Sequence, residues 1–84
     1  MIIYLIFSQD GYEEVKQELI SQHAMLWVNN SFLSDKQLTE LKQYDIDVNV
    51  FSESINGSHD KSIMQALLPI EKQYPDAEIL VEYL

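Results

Sequence analysis

The stretch IIYLIFSQDGYEEVKQELISQHAMLWV, residues 2–28, decides the fold. Ile2 to Phe7 is an unbroken apolar run rich in Ile, Tyr and Phe, closed by Asp10-Gly11, which is the pattern of a strand buried on both faces. Tyr12, Val15, Leu19 and Ile20 then recur at helical spacing, with Glu13, Glu14, Lys16, Gln17 and Glu18 opposite them, so residues 12–22 are predicted as an amphipathic helix ended by His23. Ala24 to Val28 is again continuously apolar, short enough for a strand, and Asn29-Asn30 is a turn signal. Strand, helix, strand with short links is one parallel crossover unit.

The rest of the chain repeats the alternation. Ser34 is placed to cap a helix over about 34–44 with the stripe Leu38, Leu41 and Tyr44, and Phe32 or Leu33 before it is placed as a hydrophobic staple. Residues 46–51 alternate, Ile46, Val48 and Val50 on one side and Asp47, Asn49 and Phe51 on the other, as in a strand covered on one side. After the polar stretch 52–59, a third helical stripe runs through Ile63, Ala66, Leu67, Ile70 and Tyr74, with Pro69 expected to kink or break it near Gln65. Pro75-Asp76 is a turn, and residues 78–83 form a last, partly exposed strand.

The order βαβαβαβ implies a single small α/β domain, residues 1–84, with a four-stranded, mostly parallel sheet and right-handed crossovers. The first two strands read as buried on both faces and the last two on one, which favours the order 3-2-1-4. Right-handedness then sends the first two helices to one face and the third to the other. This is a half-sized doubly wound fold.

Composition narrows function mainly by exclusion. Fourteen acidic side chains against five lysines give a formal charge of −9, with no arginine, and the lysines are scattered singly, so nucleic acid is not an expected partner. Without cysteine there is neither a disulfide nor thiol chemistry. The apolar run Met1–Phe7 lacks a basic flank and a small-residue cleavage site, and it reads as a strand. No apolar run approaches the roughly 20 residues that span a bilayer, so a membrane is not an expected partner either and the default location is cytoplasmic.

In sheets of this type ligands bind beyond the carboxyl ends of the strands, where the chain reverses direction. The expected crevice lies between the first and last strands, with Ser8, Asp10, Asn29, Asn30, Glu53, His59 and Asp60 as its candidate lining. Asp10, Glu53, His59 and Asp60 are the residue types that suit a hard divalent cation, but their spacing is not diagnostic, and loop and cap roles explain them as well. No cofactor is implied.

Ser8-Gln9-Asp10-Gly11-Tyr12 resembles in outline the strand-one motif of haloacid-dehalogenase-type phosphatases, yet serine stands at the nucleophile's position and tyrosine at the threonine's, so that chemistry is not carried over. A phosphate loop is unsupported, with one glycine, no lysine and an aspartate in the turn. The serines and histidines form no triad spacing.

The leading expectation is a non-enzymatic interaction protein that engages another protein or a second copy of itself. The alternatives are a small ligand- or metal-binding enzyme-like domain that uses the crevice, and an acidic inhibitor or immunity-type protein on a basic site. Phe51, on the open face of an edge strand, is the expected interface residue.

Overall fold

The computed structural model describes residues 1–29, 33–51, 55 and 58–82. The elements follow in the order β1 (Ile2–Ile6), α1 (Gln9–Ser21), β2 (Met25–Val28), α2 (Asp35–Gln43), β3 (Val48–Val50), α3 (Asp60–Gln73) and β4 (Glu78–Val81). All three strand pairings are parallel and the sheet order is β3-β2-β1-β4, as the burial pattern predicts. Tyr4 lies between Leu26 and Leu80 in register, and Leu5 between Trp27 and Val81.

Each helix that feeds β2 or β3 ends in the same device. At the end of α1, His23 takes a left-handed φ of 50°, its N–H donates to the Ile20 carbonyl, and the Ala24 N–H reaches back to Leu19. At the end of α2, Asp45 has φ 58°, its N–H donates to Lys42, and the Ile46 N–H reaches back to Leu41. These paired bonds are Schellman closures, and the apolar contact that accompanies such closures is supplied by Leu19 with Ala24 and by Leu41 with Ile46, all buried in one cluster. The starts are capped as well. Ser34 forms a full capping box with Gln37, and Leu33 beside it packs against the core.

Two apolar clusters sandwich the sheet. Tyr4, Ile6, Leu26 and Val28 meet Tyr12, Leu19 and Leu41, so α1 and α2 share one face. Ile3, Leu5, Phe7 and Met25 meet Ile63, Ala66 and Ile70 of α3 on the other. The ion pair between Lys16 Nζ and Glu40 Oε1 (2.5 Å) ties α1 to α2.

Of the two outcomes expected at Pro69, a kink or a break, the break is corrected: the third helix runs through the proline from Asp60 to Gln73. Pro69 and Gln65 both lie on the exposed side, where water can serve the carbonyl that loses its donor, while Ile63, Ala66 and Ile70 anchor the helix on either side of the proline.

Phe51 is not exposed: it is only 9% accessible. It does lie opposite Val48, as the alternation requires, but that face is covered. The Phe51 ring stacks on Phe7 with centroids 6.2 Å apart and meets Trp27 at 5.4 Å, and Ile55 packs on the same cluster.

Candidate functional site

The crevice at the carboxyl end of β1 starts from Ser8, which caps α1: its Oγ accepts from the Gly11 N–H at 3.1 Å. That leaves the backbone N–H groups of Phe7 and Ser8 directed outward at the start of a helix, an arrangement suited to an anion. The anion that fills it is internal. Glu82, just past β4, places Oε1 2.7 Å from the Phe7 nitrogen and 3.0 Å from the Ser8 nitrogen, and its Oε2 accepts from the Ser8 hydroxyl at 2.6 Å.

The register that delivers Glu82 is continuous with the sheet, since its own N–H donates to the Leu5 carbonyl. Gly11 is required for the same approach: a Cβ at that position would overlap the Glu82 carboxylate. Ser8, Gly11 and Glu82 therefore form one clasp that closes the switch point with the chain's own charge.

The other expected residues are not gathered around it. Asp10 is exposed in the first turn of α1, and His59 and Asp60 are exposed at the start of α3, His59 without a side-chain capping bond. Asn29 has a structural task, donating from Nδ2 to the Ile55 carbonyl at 2.8 Å and accepting the Ile55 N–H on Oδ1 at 2.7 Å. That pair ties Ile55 to the end of β2. Asn30 and Glu53 lie outside the described residues. Among the described residues no group of three or more His, Asp or Glu side chains is arranged to hold a metal ion.

Beside the clasp, on the face that carries α1 and α2, a groove of about 260 Å³ runs between α1 and β4. Tyr4, Ile6, Val15 and Leu80 make it apolar, and Gly11, Glu14, Val81 and Glu82 complete it. Its origin is topological. A crossover helix lies over the seam between the strands it joins, so α1 covers β1 and β2, and α2 covers β2 and β3. Neither reaches over β4, and Leu80 stays 38% exposed.

The charges around the groove share one sign. Burial raises the Tyr4 phenol above its ordinary pKa of 10.0, and the nearby carboxylates of Glu18 and Glu78 raise it further. Tyr4 itself donates to Gln22 Oε1 at 2.9 Å. Glu14 and Glu82 line the groove, and Glu18 of α1 and Glu78 of β4 both lie near enough to act on Tyr4 at its floor. A larger depression of about 520 Å³ is lined, among the described residues, by α2 and Tyr44, from Asp35 to Tyr44.

Tyr12, buried between α1 and α2, holds a hydroxyl with no hydrogen-bond partner, and the Asn49 amide nitrogen shares that condition among the described residues. No helix among the described residues is long and apolar enough to cross a membrane. Comparison with known family models, curated proteins and solved structures gave no match.

Proposed function

We propose that the chain is a non-enzymatic protein-binding module. The observation that carries this reading is the Glu82 clasp: at the switch point where this class of sheet receives a ligand, the N–H groups of Phe7 and Ser8 just before α1 and the Ser8 hydroxyl are already engaged by the protein's own carboxylate. The groove next to it, at about 260 Å³, falls below the roughly 300–1,000 Å³ of small-molecule sites. It suits side chains of a partner better than a metabolite. The charge of −9 favours basic partners, and an acidic inhibitor seated on a basic site is a special case of the same reading.

The test is a thermal-shift screen of divalent cations, nucleotides and phosphorylated or carboxylated metabolites. A ligand at about 100 times its Kd adds about 2.7 kcal/mol to a folded state it alone binds. In a chain of this size that raises Tm by roughly 10 °C or more. No such rise is expected from any of them. A rise of that size that disappears in Ser8→Ala would replace the binding-module reading with the ligand-binding one.

A further inference from the structure

We propose that the groove between α1 and β4 receives a cationic amphipathic helix of a partner protein, whose apolar stripe rests on Tyr4, Val15 and Leu80 and whose lysines or arginines meet Glu14, Glu18 and Glu78. This rests on the protein-binding reading and names the surface and the chemistry of the partner. The fold supplies the vacancy, since α1 and α2 lie over β1, β2 and β3 and, among the described residues, no helix covers the same face of β4. A helix packed beside α1 at the usual 8–10 Å between axes would lie over β4 and complete the layer.

The bare strip is apolar at its floor and acidic along both sides. Leu80 is exposed between Glu78 and Glu82, and Glu14 and Glu18 stand one turn apart on α1. Insertion of an apolar stripe with basic flanks therefore buries Leu80 without leaving a like-charge contact at the rim.

The overall charge selects the source of that helix. This chain carries its own cation-flanked apolar face on α3, where Lys61, Met64, Leu68 and Lys72 share the outward side and Met64 and Leu68 are 62% and 58% exposed. A second copy, however, brings another −9 against the first, and at low salt repulsion between the bodies extends over about 30 Å. A basic partner is drawn in by the same field that holds a copy away.

The probe is a synthetic leucine–lysine peptide patterned as an amphipathic helix, titrated into the full chain and followed by fluorescence anisotropy and by amide chemical shifts. Three comparison peptides are its glutamate-for-lysine counterpart, a scrambled version and the α3 sequence, residues 59–74. The expected result is salt-weakened binding, a gain of helical circular dichroism, and shifts confined to residues around Tyr4, Val15 and Leu80. The decisive variant is Leu80→Asp, which adds a negative charge. Attraction by charge alone is strengthened or unchanged by it, whereas docking in the groove is weakened at least about tenfold.

Leu80 is half-exposed on an edge strand, and if Leu80→Asp does not fold, the shift map on the unaltered chain decides between the same two outcomes. Shifts spread along α1 without Leu80, or equal binding of the scrambled peptide, would overturn the groove while the protein-binding reading stands. Tighter binding of the 59–74 peptide than of the leucine–lysine peptide would overturn the choice of partner in favour of a second copy. A metabolite that raises Tm in the thermal-shift screen, with no peptide binding, would overturn both.

Discussion

The two faces of this sheet meet the same shortage of cover in opposite ways. One face has a single helix, α3, yet it is closed, because Phe7, Trp27 and Phe51 fill the region toward β3 and Asn29 holds Ile55 over it. The other face has two helices, yet it is open, because both crossovers lie toward β3 and Leu80 of β4 is left without a helix over it among the described residues. The number of helices on a face is therefore a poor guide to its exposure. What decides it is where the crossovers fall and whether aromatic side chains occupy what they miss.

The largest expected effect separates the closed face from the open one. Phe51→Ala should cost about 3–5 kcal/mol in urea unfolding, since it removes a buried ring and leaves a cavity against Phe7 and Trp27. Leu80→Ala, on the open face, should cost less than about 1 kcal/mol. Equal costs at the two positions would break the contrast.

The sequence is most legible where the determinants are local. The caps at Ser34, the strand order drawn from relative burial and the side of β3 on which Phe51 falls all follow from periodicity and neighbouring residues. The cover over Phe51 does not, because it comes from Phe7, 44 positions earlier, and from Ile55, held by Asn29. Ile46 was also legible as buried but for a different reason from the one its alternation suggests: it closes the end of α2, and β3 begins only at Val48.

Of the expected site residues, Ser8 and Asn29 do make structural contacts near the strand ends, but the residue that fills the crevice is Glu82. Its partners are 74 and 75 positions away, so the meeting depends on β4 pairing with β1. The available signal was Gly11 opposite a glutamate at the end of the strand that the 3-2-1-4 order places next to β1.

On the open face β4 has the clasp in place of a helix. Glu82→Ala should cost about 2 kcal/mol, because it strips a carboxylate from two backbone N–H groups and a hydroxyl. Gly11→Ala should be destabilising in the unaltered chain, since the new Cβ evicts the Glu82 carboxylate. In the Glu82→Ala background the same change should turn neutral or stabilising, by up to about 1 kcal/mol, as the helix gains a better former. A double-mutant cycle by urea unfolding measures the reversal, and additive effects would show that Gly11 serves something other than the clasp.

The smallest effects compare two tyrosines packed in the same cluster, one at the open groove and one enclosed between α1 and α2. The Tyr4 hydroxyl donates to Gln22, so Tyr4→Phe should cost about 1 kcal/mol. The Tyr12 hydroxyl is buried with no partner, so Tyr12→Phe removes an unsatisfied group and should be neutral or stabilising by up to about 1 kcal/mol. Both phenols have pKa values raised from 10.0, chiefly by burial; at Tyr4 the charges of Glu18 and Glu78 raise it further, while at Tyr12 Lys16 opposes and Glu40 adds. The folded state thus keeps these protons longer than the unfolded chain does. Their contribution to stability is complete below about pH 10 and is lost as pH rises through the folded-state values. A tyrosinate absorbance titration should show Tyr4 and Tyr12 ionising late, in step with alkaline unfolding, and each Tyr→Phe change should remove one late step. If Tyr12→Phe were as costly as Tyr4→Phe, the enclosed hydroxyl would have to hold a partner in solution, and the seam between α1 and α2 would be wetter than the groove beside β4.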